Sequence, residues 1–178
     1  MLIIENDAYP IRTDFRVGVA YSTALLAGNL TVGQFYDLWF PAQRPANFSA
    51  AQEAVNAFYR CGREPDATGR TTPDYSFDTD AAAIIAAFQR EYGIDLTTEN
   101  MHWWRFSALL HGLLSHSFAQ RVQYRVCNPD EIKNKEVREQ YRRLKGVYAL
   151  DAHGKTRRQP TTLEEYNELL LRRARGEE

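Results

Sequence analysis

Apolar residues recur at intervals of three and four through residues 1–60, and polar residues fill most positions between them. This spacing places the apolar side chains on one side of an α-helix. It predicts a helix from Thr13 or Asp14 to Gly28, a short helix from Thr31 that stops at Pro41, and a third helix that begins at Ser49. In the third helix, Gln52 follows Ser49 at the spacing of a capping box. Residues 1–60 therefore predict a small helical hairpin or bundle.

Residues 61–74 interrupt this pattern. The stretch CGREPDATGRTTPD contains two glycines and two prolines and offers almost no apolar side chain to bury. Such a composition is typical of a linker. We accordingly divide the chain into an N-terminal helical segment (1–60), a linker (61–74), a helical core (75–150) and a C-terminal linker and helix (151–178).

The strongest helical pattern lies in residues 75–114, which predict two amphipathic helices. The first presents Ala81, Ile84, Ile85, Phe88 and Tyr92 on one face and ends at Gly93, in the position of a left-handed cap. The second restarts at Thr97 or Thr98, and its apolar arc begins with Trp103. We predict that the core is formed by Ile84, Phe88, Tyr92, Gly93, Trp103, Phe106, Leu110 and Leu113.

The other side of the second helix is also largely apolar. It carries Met101, Trp104 and Ala108, with Arg105 and His111 as its strongly polar members. A helix that is apolar on both sides is either buried between neighbours or presents its second face to a partner. The sequence assigns Trp103 to the core and leaves both readings of Trp104 open.

Residues 117–126 predict a short helix and residues 130–150 a long one, separated by the break at Asn128-Pro129-Asp130. The longer one has an apolar stripe of Val137, Tyr141, Leu144 and Tyr148 and a basic side of Lys135, Arg138, Arg142 and Lys145. Residues 151–160 predict a polar linker, and residues 161–178 a final helix. Because we find no run of alternating strand residues, the predicted fold class is all-α. We expect an irregular multi-helix bundle with a helical hairpin core and a charged C-terminal helical extension.

Composition and charge narrow the class of protein. The chain has 44% hydrophobic residues, enough for a core. It has no run of about 18 apolar residues that could span a membrane, and its start lacks the basic region of a signal peptide. Residues 1–120 carry a net charge of −5 and residues 121–178 one of +4. This basic end is too weakly charged to favour a nucleic-acid-binding domain, and association between unlike ends explains the asymmetry equally well.

Residue types that catalyse reactions or bind metals are present, but their spacing does not suit either role. The two cysteines form no CxxC pair, the histidines lack the H-x-x-x-H spacing, and the short acidic run lacks the glycine and glutamate of an EF-hand loop. These residues are Cys61 and Cys127, His102, His111 and His116, and Asp78-Thr79-Asp80. We interpret Asp78 or Thr79 as the cap of the helix, with Asp80 at its positive end. We predict no catalytic residue, no metal site and no cofactor, and a protein that is not an enzyme.

The motifs of residues 75–150 resemble those of the phage gene-product-fifteen family of siphophages. In that family, a phrase of the type Asp…Ile…Phe…Tyr-Gly-Ile-Asp-Leu precedes a His-Trp-Trp-x-Phe helix that ends in a Leu-Leu-x-Gly-Leu pattern. This chain matches at Asp80, Ile84, Phe88, Tyr92, Gly93, Ile94, Asp95 and Leu96, at His102, Trp103, Trp104, Phe106, Leu109, Leu110, Gly112 and Leu113, and at Arg125. Adjacent tryptophans after a histidine, at this distance from Tyr-Gly-Ile-Asp, make the phrase specific.

The resemblance implies an all-helical protein encoded between the major tail protein and the tape measure protein of long-tailed phages. Genes in that position resemble those of tail assembly chaperones, which coat the tape measure and help recruit tail-tube subunits. We therefore expect the tape measure protein as a partner, the major tail protein as a second partner, and a homo-oligomer in the host cytoplasm during phage assembly. We expect no membrane or nucleic-acid partner.

Two alternatives to the chaperone remain open. The first is a structural virion component of the tail or neck. The second, weaker alternative is a small nucleic-acid-binding regulator that uses the basic side of residues 135–145. Both predict different partners from those of a chaperone, so experiments on partners and particle composition discriminate among them.

A chaperone for a long helical tape measure needs an exposed apolar surface that accepts amphipathic helices. Our candidate for this surface is the other side of the second helix of residues 75–114, the side away from Trp103. It consists of Met101, Trp104 and Ala108, with Arg105 at the rim. The alternative, that these side chains pack on the N-terminal segment of their own chain, is equally compatible with the sequence.

Overall fold

A computed structural model of the chain describes residues 1–64, 72–113 and 116–156. The predicted final helix at 161–178 and the middle of the predicted linker at 61–74 lie outside these residues. The described elements are β1 (Leu2–Ile4), β2 (Asp7–Tyr9), α1 (Phe15–Ala27), α2 (Val32–Trp39), α3 (Phe48–Tyr59), α4 (Ala81–Tyr92), α5 (Trp103–Gly112), α6 (His116–Val126), a 3₁₀ turn (Pro129–Glu131) and α7 (Lys135–Tyr148). The predicted all-α class is confirmed.

The expectation that the chain has no strands was wrong for its first nine residues. β1 and β2 form an antiparallel hairpin in which Leu2 pairs with Tyr9 and Ile4 with Asp7. The two turn residues, Glu5 and Asn6, both have positive φ, as in the turns that match the twist of a hairpin. Strands of three residues are too short for their alternation to be recognised in the sequence.

Helix ends follow the capping chemistry of the sequence, with several shifts. α1 begins after Asp14, which accepts a hydrogen bond from the Arg16 N–H, and it ends at Gly28 with φ 66°. The capping box lies at Thr31–Gln34, before α2. The capping box predicted at Ser49–Gln52 was wrong, because Asn47 caps α3 through the Ala50 N–H.

Two later helices also begin after the predicted residue. α5 begins after His102, five residues or so beyond the predicted start, because Asp95 accepts hydrogen bonds from the Thr97 N–H and hydroxyl and holds that stretch in a turn. α7 begins at Lys135, capped by Asn134, because the 3₁₀ turn occupies the residues before it. Short polar side chains that bond their own backbone therefore set both starts.

The buried apolar residues form two clusters. The N-terminal cluster contains Ile4, Tyr9, Tyr21, Phe35, Tyr36, Trp39, Phe40, Ala51 and Val55. The central cluster contains Phe15, Phe77, Ala83, Ile84, Ala87, Phe88, Leu96, Met101, Trp103, Phe106, Leu110, Leu113 and Phe118. Helix α1 contributes Tyr21 to the first cluster and Phe15 to the second, and Phe58 and Tyr59 of α3 pack against both. The two clusters are thus joined through α1 and α3.

Most of the predicted core residues are buried. Ile84, Phe88, Trp103, Phe106, Leu110 and Leu113 all lie in the central cluster, as predicted. Tyr92 is partly buried and donates its hydroxyl to the Leu109 carbonyl at 2.9 Å. Gly93 is exposed, and its role is the predicted cap, with φ 65°.

The buried face of α4 is rotated from the predicted one. Ala83 and Ala87 are buried, whereas Ala81 and Ile85 are exposed. Helix α4 contacts both α5 and α6, so its buried face is set by two neighbours rather than by one. The small side chains of Ala83 and Ala87 allow α4 to lie close to its neighbours. A prediction based on large apolar residues does not detect such a face.

Helix α7 packs mainly on α6 and the 3₁₀ turn and buries no residue fully. Of its predicted stripe, Tyr141 and Tyr148 contact the ring of Tyr124, with ring centroids 5.2 and 5.8 Å apart. Leu144 is half-buried, and Val137 is exposed. The α6–α7 pair therefore extends from the central cluster.

Candidate partner-binding surface

The start of α5 is fixed by hydrogen bonds to the start of α1. The Phe15 N–H donates to the Met101 carbonyl at 2.9 Å, and the Trp103 N–H donates to the Thr13 carbonyl at 2.7 Å. The His102 side chain caps α5 by accepting a hydrogen bond from the Trp104 N–H. These bonds set the orientation of the two adjacent tryptophans, so that Trp103 points into the protein and Trp104 lies at its surface.

Trp103 is a core residue, as predicted. Its ring stacks on Tyr59 with centroids 4.8 Å apart, and its indole N–H donates to the Tyr59 carbonyl at 2.7 Å. It packs directly against Gly18 of α1, where a side chain would have no room. Because the indole N–H has a partner, the ring is buried without leaving a polar group unsatisfied.

Trp104 is 47% exposed, although it is anchored to the protein. Its indole N–H donates to the Phe58 carbonyl at 2.9 Å, and the two rings lie 5.7 Å apart with a 30° tilt. The ring of His102 lies 6.1 Å from it on another side. The structure thus combines the two readings left open by the sequence. One edge of Trp104 packs on the N-terminal segment, and about half of the side chain faces outward.

Trp104 lines one side of an open groove of about 530 Å³ between β1, α3 and α5. The lining residues are Met1, Leu2, Ile3, Thr13, Ala54, Ala57, Phe58, Gly62, His102 and Trp104. None of them is an acid, a lysine or an arginine. Three of them, Met1, Ile3 and Trp104, are among the most exposed large apolar residues described. We call this feature the Trp104 groove.

The structure places the four predicted docking residues differently. Trp104, Arg105 and Ala108 are exposed on the outer side of α5. Met101 is 5% exposed and belongs to the central cluster, so its inclusion in an exposed surface was wrong. The reason is that α5 begins after Met101. The residue therefore does not follow the helical period that placed it beside Trp104.

Two arginines lie beside the outer face of α5. Arg63, which follows groove residue Gly62, donates to the Ser107 hydroxyl at 3.3 Å. Arg105 follows Trp104 and is exposed. At 100° per residue, Ser107 and Arg105 fall on opposite sides of Trp104 around the helix. Within the described ranges, no ion pair joins Arg63 or Arg105 to a carboxylate.

Comparison with protein families gives a match to the family described as Bacteriophage Gp15 protein, over residues 1–150. The chain belongs to this family. The predicted membership is thereby confirmed, and the match extends through the N-terminal segment, beyond the resemblance at residues 75–150. Comparisons with curated proteins and with solved structures give no match.

The family phrase contains a buried ion pair that the sequence analysis missed. Asp80 is completely buried, and the Arg125 guanidinium donates to its two carboxylate oxygens at 2.6 and 3.0 Å. Arg121 lies 3.6 Å from the same carboxylate. Asp80 does stand at the start of α4, but its side chain makes no capping hydrogen bond. The available signal was that Asp80 and Arg125 both matched the family, since opposite charges in a shared phrase are candidates for a pair.

Arg125 connects three parts of this phage family protein. Besides binding Asp80, it donates to the Tyr148 carbonyl at 2.6 Å and to the Asp74 carbonyl at 3.2 Å. The pair therefore joins the start of α4, the segment before it and the end of α7. A bidentate guanidinium–carboxylate pair of this kind fixes geometry as well as charge.

The basic side predicted on α7 is largely engaged in internal contacts. Arg142 donates to Asp130 at 2.6 Å and to Glu139 at 2.8 Å, and Lys145 donates to the Cys127 carbonyl at 2.6 Å. Arg138 is half-buried and donates to the Ile132 carbonyl at 3.4 Å, whereas Lys135 is exposed. This arrangement offers little unpaired charge for a nucleic-acid backbone.

The candidate chemical residues whose side chains the structure describes do not form a metal site. Cys61 and Cys127 are separate free thiols. Throughout the part of the chain that the structure describes, we find no group of three or more His, Cys, Asp or Glu side chains placed to hold a metal ion. No helix in that same part is long and apolar enough to cross a membrane.

Proposed function

We propose that this protein is a non-enzymatic tail assembly protein, a chaperone that binds the tape measure protein and helps recruit tail-tube subunits. Membership of the bacteriophage Gp15 protein family carries the proposal. The family resemblance implies that its gene lies beside the tape measure gene. The protein would act in the host cytoplasm during assembly, and the major tail protein is a second proposed partner.

The Trp104 groove supports this proposal because a chaperone of helical segments needs exposed apolar surface. Tryptophan and other large apolar residues are enriched where protein partners bind, and they are held there at low entropic cost when one edge is already anchored. Trp104 meets this description through its hydrogen bond to Phe58. The groove lies between helices, as in other proteins that bind an amphipathic helix.

The test is co-expression of the full chain with the tape measure protein of its phage, followed by size-exclusion chromatography with light scattering. A complex with many copies per tape measure chain is the expected result. Mass spectrometry of purified particles should then find the protein absent. Its retention in mature particles would replace the chaperone with a structural component of the tail or neck. A failure to co-elute would remove tape measure binding.

A further inference from the structure

We infer that the Trp104 groove binds an amphipathic helix of the tape measure protein whose apolar stripe is bordered by Asp or Glu. This inference rests on the proposed function for the identity of the partner. It adds the site on this protein and the kind of tape measure segment that fits it.

The groove provides an apolar site with room for large side chains. Its volume of about 530 Å³ is in the range of cavities that take a drug-sized molecule, or a few side chains projecting from a helix. The lining includes Ala54 and Ala57, one turn apart on α3, whose small side chains leave the space open. Trp104 lines the groove from α5 and Ile3 lines it from β1. Side chains at i, i+3 or i+4 and i+7 of a helix are spaced to enter such a groove.

The charges on the two sides of Trp104 favour carboxylates on the part of the occupant that contacts α5. Arg63 and Arg105 lie on the two sides of Trp104 around α5, and neither is paired with a carboxylate among the described residues. No acidic residue lines the groove itself. A helix with Glu or Asp on both sides of its apolar stripe would bring carboxylates to both guanidinium groups. Such ion pairs contribute more to the specificity of binding than to its affinity.

The described helices of a second copy offer no apolar stripe of this kind. The large exposed apolar residues on the described helices, such as Val32, Ile85 and Val147, stand singly rather than in a stripe with acids on both sides. Single exposed apolar residues of this kind are normal on protein surfaces. A second copy is therefore an outcome for the experiment to exclude.

The experiment compares variants of the full chain, co-expressed with the tape measure protein, and then titrates them with 25-residue peptides that tile the tape measure sequence. Ala57→Trp fills the groove, and Arg105→Glu reverses an exposed rim charge that has no ion pair among the described residues. The matched controls are Ala86→Glu on the exposed side of α4 and Arg143→Glu on α7. Thermal melting of each variant, before any titration, identifies those that fail to fold.

The inference predicts that the peptides that bind wild type have acid-flanked apolar stripes. Arg105→Glu should weaken their binding about tenfold, with a smaller effect at high salt, and Ala57→Trp should abolish it. Replacing with arginine only the glutamates on the flank of the peptide that faces residue 105 should restore binding to Arg105→Glu and weaken binding to wild type. The two control variants should bind as wild type does.

Each contrary outcome has a distinct meaning. If wild type and all variants bind the tape measure equally well, the groove inference is overturned while the proposed function stands. If wild type does not bind the tape measure at all, the proposed function fails together with the partner named here. If instead Ala57→Trp abolishes self-association measured by light scattering, the occupant is a second copy, and the inference is wrong.

Discussion

Gly18 determines how closely α1 and α5 can approach. A Cβ atom built at this residue would lie 2.3 Å from a ring carbon of Trp103, well inside van der Waals contact. The periodicity of α1 gave no indication of this contact, because glycine adds nothing to an apolar stripe. The prediction of Trp103 as core was correct, but the residue that makes space for it could be identified only from the packed structure.

Replacing Gly18 with alanine should therefore destabilise the protein. In an exposed helix the same change usually stabilises, by about 0.5–1 kcal/mol. At Gly18 the added methyl group meets a buried indole held by Tyr59, so we expect a loss of about 1–3 kcal/mol, as for other overpacked cores. Urea denaturation followed by tryptophan fluorescence measures the change in the free energy of unfolding.

Gly33→Ala is the matched control for this prediction. Gly33 also lies in a helix, α2, and the nearest atom to its added Cβ is the Thr31 hydroxyl at 4.0 Å. This variant should be more stable than wild type by about 0.5–1 kcal/mol. If Gly18→Ala were stabilised to the same degree, α1 and α5 could not be packed as described.

Among the elements, the attachment of α6 and α7 depends on the Asp80–Arg125 pair. Helix α7 has no fully buried residue, and the Arg125 side chain is only 6% exposed. Asp80→Ala would leave this guanidinium buried without its carboxylate, which typically costs about 3–5 kcal/mol. Denaturation monitored by circular dichroism should show the loss, and hydrogen exchange should place the largest increase in α6 and α7.

An exposed ion pair in the same region provides the comparison. Asp130 and Arg142 lie 2.6 Å apart, but both side chains are largely exposed to solvent. Asp130→Ala should leave the free energy of unfolding almost unchanged, because water solvates the remaining arginine. Equal losses in Asp80→Ala and Asp130→Ala would mean that the Asp80 carboxylate is not buried in solution.

The elements also show which parts of the fold a sequence reveals. Helices with strong caps were located well, as for α1 between Asp14 and Gly28. The starts of α3, α5 and α7 were misplaced by one to several residues, because several polar residues in each stretch are able to cap and only the folded backbone selects one. The β1–β2 hairpin was not predicted, because its strands have only three residues each.

For the whole molecule, the sequence predicted segments but not their contacts. The boundary drawn after residue 60 follows a real change in composition. Packing nevertheless crosses it, since Tyr59 stacks on Trp103 and Phe58 accepts the Trp104 indole N–H. Periodicity identifies which face of a helix is apolar, but it does not identify the helix that covers it. The Trp104 groove, formed by β1, α3 and α5 together, was therefore beyond prediction.

Three tyrosines at or beside the junction between the two clusters are buried or partly buried, and this predicts how the whole molecule responds to alkali. Burial raises the pKa of Tyr21 from 10.0 to about 12, and burial likewise raises the pKa of Tyr59 and Tyr75. In the unfolded chain these hydroxyls ionise near pH 10. Between pH 10 and 12 the unfolded state has therefore released protons that the folded state retains.

The free energy of unfolding should consequently be at its full value below about pH 10 and fall as the pH rises toward 12. The slope is up to about 1.4 kcal/mol per pH unit for each such tyrosine.

Tyr21→Phe removes one of these protons and also the hydrogen bond to Asn56. We expect a variant that is less stable at pH 8, by about 0.5–1.5 kcal/mol, yet declines less steeply above pH 10. Urea denaturation from pH 8 to 11.5 tests this crossing. Parallel slopes for the two proteins would mean that the Tyr21 hydroxyl ionises equally readily in both states, and hence that the junction between the clusters is open to water.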